Sequence, residues 1–237
     1  KKGFKEKDLL ESNVIKLDKN NKIRDYFYRR LIFPIMNING KVLGFGGRAL
    51  DETNPKYINS PESKFFHKRS ILYNLNFAKN TARKKNNLLI CEGYMDVISL
   101  DQKGISSVVA PLGTSFTEDQ LKLAWKYSTK PTIMFDGDGA GIRASYKAAV
   151  MALPLISAKS FLQFITLSEG FDPDSYINKV SLNKFIEKLK NPEPLSEFIF
   201  NQSVKSMSLD KVDEKISYDK YLDDLIENIK DKKTQFF

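Results

Sequence analysis

The stretch Leu88-Leu89-Ile90-Cys91-Glu92-Gly93-Tyr94-Met95-Asp96-Val97-Ile98-Ser99-Leu100 decides the fold. Its first four residues form the short continuous apolar run of a strand buried on both faces, and an acid and a glycine end it. Val97, Ile98 and Leu100 then take up helical spacing. Working outward, the alternation repeats. Residues 107–110 read as a second strand, and Thr117-Glu118-Asp119-Gln120 is a capping-box start for a helix carrying Leu121, Leu123, Ala124 and Trp125. Residues 132–135 make a third strand, 140–153 an alanine-rich helix stopped at Pro154, and 161–167 a fourth strand. Repeated β-then-α order predicts an α/β fold, a parallel sheet with right-handed crossovers and helices on its faces.

On the N-terminal side, segments 31–37 and 41–45 flank Asn39-Gly40, which predicts an antiparallel hairpin with a two-residue turn. Gly44-x-Gly46-x-x-Ala49 imitates a dinucleotide fingerprint only superficially: Pro55 follows within six residues and no helix pattern opens after the glycines. It reads as a tight backbone crossing. Beyond Ser175 the pattern turns helical, broken at Pro192 and Pro194, with Tyr221, Leu222, Leu225, Ile226 and Ile229 as a packing face. The chain thus divides into a basic α+β lobe (1–87), the α/β unit (88–178) and a C-terminal helical subdomain (179–237).

The 237 residues are 41% hydrophobic, enough for a sizeable core, and 38 Lys and Arg against 29 Asp and Glu leave a net charge of +9. Residues 1–87 carry a net +12, 88–175 a net −3 and 176–237 none. That asymmetry suits one part that grips phosphates and another that holds cations. A single cysteine, Cys91, excludes an internal disulfide and, with the single His67, excludes a Cys/His zinc cluster within this chain. No run approaches the roughly 20 apolar residues of a membrane span and no signal-type segment opens the chain, so a cytoplasmic protein without a membrane partner is expected. The start at Lys1 and the end at Phe237 read as those of an excised piece.

In open parallel sheets ligands bind outside the carboxyl ends of the strands, which singles out acids just past each strand. Glu92 follows the first, Asp136 and Asp138 follow the third in Asp136-Gly137-Asp138-Gly139, and Asp172 and Asp174 follow the fourth in Asp172-Pro173-Asp174. Asp96 lies four residues after Glu92, about one helical turn on. Each acid alone is ordinary turn or cap chemistry. Gathered at one end of one sheet they would repel unless a cation neutralised them, and hard oxygen ligands suit Mg²⁺ or Mn²⁺. A pair of such ions can clamp the attacking and leaving oxygens of a phosphoryl displacement. A receiver domain or phosphoaspartate hydrolase would need one strand-end nucleophile and leaves the first- and fourth-strand acids unexplained.

At Glu92-Gly93-Tyr94-Met95-Asp96 and Asp136-Gly137-Asp138 the chain resembles a toprim domain, the metal-binding module of bacterial primases, type IA and type II topoisomerases and some nucleases. More specifically, it resembles the catalytic core of bacterial DnaG-type DNA primases. The further stretches are Phe33-Pro34-Ile35, Gly44-Phe45-Gly46-Gly47-Arg48, Pro55-Lys56-Tyr57-Ile58-Asn59-Ser60-Pro61-Glu62, Phe66-His67-Lys68, Leu72-Tyr73, Leu112-Gly113-Thr114-Ser115 and Asp172-Pro173-Asp174, in family order.

The resemblance implies that Glu92, Asp136, Asp138, Asp172 and Asp174 hold the divalent ions, with Glu92, Asp136 and Asp138 catalytic and Asp96 beside them. It implies that Arg48, Lys56 and Lys68, with Asn59 close by, contact template, primer or nucleotide phosphates. The expected activity is DNA-directed RNA synthesis: nucleotidyl transfer from ribonucleoside triphosphates to an RNA primer on a single-stranded DNA template in replication. Fuller family members add an N-terminal zinc-binding domain and a C-terminal domain that meets the replicative helicase in the primosome; both lie outside this chain. Phe65, Phe66 and Tyr57 sit among the cations where they could stack bases, or pack in the core. His67 is expected to be a hydrogen-bonded structural residue. A toprim nuclease or topoisomerase, and a non-catalytic nucleic-acid-binding scaffold, are the competing readings.

Overall fold

A short helix, α1 (Glu6–Glu11), leads into two small antiparallel strands, β1 (Ile15–Leu17) and β2 (Ile23–Asp25). A meander follows: β3 (Arg30–Met36), β4 (Val42–Ala49) and β5 (Tyr57–Asn59), paired antiparallel in that order. The chain then runs β6 (Leu72–Tyr73), α2 (Leu75–Lys85), β7 (Leu89–Ile90), α3 (Tyr94–Gln102), β8 (Val108–Pro111), α4 (Glu118–Trp125), β9 (Thr132–Ile133), α5 (Gly139–Ala152) and β10 (Gln163–Phe164). It closes with α6 (Pro173–Lys179), α7 (Leu182–Lys190), β11 (Glu193–Pro194), α8 (Leu195–Ser206), α9 (Val212–Glu227) and α10 (Lys232–Phe236). The structure, a computed structural model, describes residues 3–113, 115–207 and 209–236.

The large sheet has the order β11-β10-β9-β7-β8-β6. Its four central strands are parallel, as the alternation predicts, while β6 and β11 add antiparallel edges. One face is covered by α2, α4, α5 and α8 over a core that includes Leu88, Ile90, Leu121, Ile133, Ala148, Phe164 and Phe198. The other is covered by α3, α6 and α7 over Leu89, Cys91, Val97, Met134, Ile165, Ile177 and Phe185. Neighbouring strand residues thus feed opposite cores, as strands covered on both sides require. A third cluster of Phe33, Ile35, Phe66, Tyr94 and Leu112 joins the meander to the start of α3.

Two local expectations are corrected. The β3–β4 turn is one residue wider than Asn39-Gly40 implies: the Asn37 N–H donates to the Lys41 carbonyl at 2.9 Å, and only Gly40 takes positive φ, at 81°. Such three-residue loops with a left-handed glycine are the next hairpin class after the two-residue turn. Gly44, Gly46 and Gly47 are not a crossing; they lie inside β4. A Cβ on Gly46 would stand 2.6 Å from the Tyr94 ring, so its glycine lets α3 press against the meander. Among the described residues no helix is long and apolar enough to cross a membrane.

Candidate active site

The acids are placed by the turns that end the parallel strands. Glu92 follows β7, and its Oε1 accepts the Asp136 N–H at 3.1 Å, tying the end of β7 to the segment after β9. Asp138 is the N-cap of α5, its Oδ1 accepting the N–H groups of Ala140 at 2.9 Å and Gly141 at 2.8 Å. Asp172 caps α6 in the same way, accepting from the Ser175 N–H at 2.6 Å. Asp174 takes the Asn178 amide at 2.8 Å. Asp96, buried in the first turn of α3, accepts the Gly93 N–H at 2.9 Å and the Asp174 N–H at 3.4 Å, so it bridges the corners that follow β7 and β10. The cap reading is therefore correct for Asp138 and Asp172, while the bonds to Glu92 and Asp96 draw three strand ends together.

Two glycines make that approach possible. A Cβ on Gly137 would fall 2.3 Å from the Ser168 carbonyl oxygen, and one on Gly141 would fall 2.2 Å from the Asp136 carbonyl oxygen and 2.8 Å from Glu92 Oε1. No real Cβ tolerates such contacts, so Asp136 and Glu92 reach their positions only because the corner is glycine-lined.

The electrostatics are those of a site short of positive charge. Burial, then the negative charges of Glu92, Asp96, Asp172 and Asp138, push the Asp136 carboxyl up to about 7. Burial pushes Asp96 up to about 7 as well, with Asp172 and Asp174 adding repulsion against the hydrogen bonds from Gly93 and Asp174 that favour its ionised form. Burial raises Glu92, the bond from the Asp136 N–H opposes that, and the Asp138 charge adds to it. Asp136 Oδ1 is buried without a hydrogen-bond partner. A buried carboxylate oxygen left bare is costly, and these neighbours offer it only more negative charge. The all-oxygen donor set and this orphaned acceptor fit a hard divalent cation. Among the described residues, however, no three of these side chains are already gathered round one point as a finished cage.

Two of the basic residues, Arg48 and Lys56, lie on the meander that packs against the start of α3. Arg48 on β4 donates from Nε to the Tyr57 hydroxyl at 3.1 Å and lies over that ring, 6.0 Å from its centroid. Lys56 precedes β5 and is exposed; Asn59 ends it. Tyr94 donates its hydroxyl to Asn59 Oδ1 at 2.5 Å, stacks on Phe33 at 4.9 Å and meets Tyr73 edge-on at 4.7 Å. Because Tyr94 stands two residues after Glu92, this contact couples the meander to the acidic rim. Sequence reasoning did not give Tyr94 this part; the one signal was the glycine at 46, whose missing side chain makes room for the ring. Lys68 sits apart in a single helical turn, joined to the start of α4 by the Gln120 amide on its carbonyl at 3.1 Å. Among the described residues Arg48, Lys56 and Lys68 enter none of the ion pairs.

Phe66 is wholly buried, so of the three aromatics only Phe65, 73% exposed, and Tyr57, 39% exposed, are open to solvent. His67 pairs with Glu62 through Nδ1 at 3.3 Å, far from any metal-ligating role. Of the Leu112-Gly113-Thr114-Ser115 motif, Thr114 lies outside the described residues.

Comparison with known proteins places this geometry. Residues 1–79 match the family model for the N-terminal domain of the DNA primase catalytic core, and residues 86–159 match that for the toprim domain. The DNA primase of Buchnera aphidicola subsp. Acyrthosiphon pisum is 41% identical over 210 residues, 89% of this chain and 36% of its own length. The chain therefore spans a little over a third of that curated relative. Among solved structures, a DnaG primase catalytic domain bound to single-stranded DNA superimposes with a TM-score of 0.88 at 35% identity, covering 97% of this chain and 74% of that one. A DNA primase domain from Pseudomonas aeruginosa gives 0.90 at 33% identity, covering 97% and 72%.

Proposed function

Because the chain belongs to the DnaG-type DNA primase family, as a stretch of its toprim-containing catalytic core, we propose that it catalyses RNA primer synthesis on single-stranded DNA. The primer's 3′-hydroxyl attacks the α-phosphorus of a ribonucleoside triphosphate, a new phosphodiester bond forms, and pyrophosphate leaves with the electron pair of the broken bond. The observation that carries this reading is the bare, buried Asp136 Oδ1 among four like charges.

Glu92, Asp136, Asp138, Asp172 and Asp174 are the residues to hold Mg²⁺ or Mn²⁺, which when bound supplies Lewis-acid stabilisation of the charge building on the phosphoryl oxygens. Glu92, whose proton affinity burial raises, is placed to take the hydroxyl proton. Asp96 keeps the two corners in register. Arg48, Lys56 and Lys68 neutralise phosphates without reading sequence, which suits an enzyme that must follow any template, while Asn59 is aimed by Tyr94. In this division residues 1–87 supply the template and nucleotide wall, 88–178 the metal centre and 179–237 a helical buttress. The setting is the bacterial cytoplasm at the replication fork, with the replicative helicase met through a part of the family's longer chains.

Primer synthesis on a single-stranded template tests the proposal. Asp136→Asn and Asp138→Asn are each expected to lower the rate at least 100-fold, on the order of what one lost charge-stabilising group costs. Wild-type rates in either variant would reject the assignment.

A further inference from the structure

Beside the acidic rim, on the α5 side, lies a cavity of about 340 Å³ that none of the residues above explains. One wall is the face of α5 carrying Ala140, Arg143, Ala144, Lys147, Ala148 and Met151; the other is Ser115 and Phe116, just ahead of α4. The volume is at the small end of the range that encloses organic ligands. Its lining has two chemistries. The alanines, Met151 and the half-buried Phe116 make an apolar floor with one aromatic face. Arg143 and Lys147, one helical turn apart, supply two exposed cations, and among the described residues neither has an acidic partner. The Arg143 guanidinium folds back toward the first turn of α5: its Nη1 lies 3.1 Å from where a Cβ on Gly139 would be. That places it at the end of the cavity nearest the start of α5.

An apolar floor with an aromatic face suits a nucleobase, and two adjacent cations with no counter-ion suit a polyphosphate. A bare anion would have no use for the floor, and an apolar ligand none for the cations. We propose that this cavity binds a nucleoside triphosphate, the base against Phe116 and Met151 and the phosphates on Arg143 and Lys147, as the initiating nucleotide. The role, though not the pocket, rests on the proposed primer synthesis: the first bond of a new primer joins two nucleotides held at once, whereas extension needs one beside a bound strand.

Photolabelling with 8-azidoadenosine triphosphate in EDTA tests the pocket without metal chemistry. Label is expected on peptides containing Phe116 or residues 140–151, reduced about tenfold by joint Arg143→Ala and Lys147→Ala substitution, since two exposed charge contacts are worth about that factor. ATP should compete and tripolyphosphate should compete poorly; oligo(dT) competing nucleotide for nucleotide with ATP assigns the same chemistry to a strand and overturns the initiating role. Label confined to the Glu92 and Asp136 peptides, label indifferent to the two substitutions, or equal competition by tripolyphosphate overturns the pocket. A second readout separates role from function. The double variant should lose about tenfold more rate in forming the first dinucleotide than in extending an annealed primer; equal losses overturn the initiating role, and absence of extension in the wild-type protein rejects the activity while leaving the labelling result standing.

Discussion

Asp136 concentrates the conflict of the site in one side chain. It is half-buried with one oxygen buried and bare, and its carboxyl is raised to about 7 by burial and four acidic neighbours. Neutralising it should therefore help the metal-free fold while destroying the site. Asp136→Asn is expected to stabilise the metal-free chain by about 1 kcal/mol, the order recovered when an uncompensated buried charge is removed. At this chain length that is a rise of ~2–4 °C in midpoint, read by thermal unfolding in EDTA. The pH dependence has a definite sign. With Asp136 and Asp96 both raised to about 7, the metal-free folded chain keeps protons that the unfolded chain releases from about pH 4 upward. Their contribution is fully present below about pH 4 and is lost as the pH climbs through 7. Midpoints measured between pH 5 and 8 should show the wild-type chain falling further than Asp136→Asn. A variant that is less stable than wild type at pH 8 without metal would show that the charge is compensated after all.

The corner between β9 and α5 does the same work at the level of an element. Alanine normally favours a helix over glycine by about 1 kcal/mol, so Gly141→Ala should stabilise α5 on propensity alone. The Asp136 carbonyl oxygen 2.2 Å from the new methyl reverses that expectation. A net loss of about 2 kcal/mol or more is predicted by denaturant unfolding, on the scale of forced overpacking. A stabilised variant would mean the corner has slack. Tyr94 gives the companion prediction. Tyr94→Phe keeps the stack on Phe33 but strands Asn59 Oδ1, at a cost of about 1–3 kcal/mol. These corners also mark how far the sequence could be read. The four central strands, the Thr117 capping box and the acids after three of those strands are visible because period and caps are local signals. The edge strands β6 and β11, two residues each, and the Tyr94–Asn59 contact across 35 positions are set by tertiary packing and leave no local pattern. The β4 glycines were legible only as glycines, since the ring that fills their space comes from another element.

At the scale of the molecule, the net charge of +9 is the sum of +12 on residues 1–87 and −3 on residues 88–175, the remainder being neutral. The +12 of residues 1–87 predicts affinity for single-stranded DNA that falls steeply with salt, each phosphate neutralised adding roughly −0.7 to the log–log slope. Arg48→Ala and Lys56→Ala should each flatten that slope by about 0.7 in fluorescence-anisotropy titrations, with little dependence on sequence. An unchanged slope in both would remove them from the strand's path. Tyr94 ties the meander to the acidic rim, and the resemblance to primases rests on residues of both halves.

The most direct test of the account is where a divalent ion goes. Anomalous diffraction from crystals of the chain soaked in Mn²⁺ should place density among Glu92, Asp136 and Asp138, within reach of Asp172 and Asp174, with Asp136 Oδ1 as a ligand. Mn²⁺ bound elsewhere, or an Asp136 oxygen still bare at saturating Mn²⁺, would contradict it.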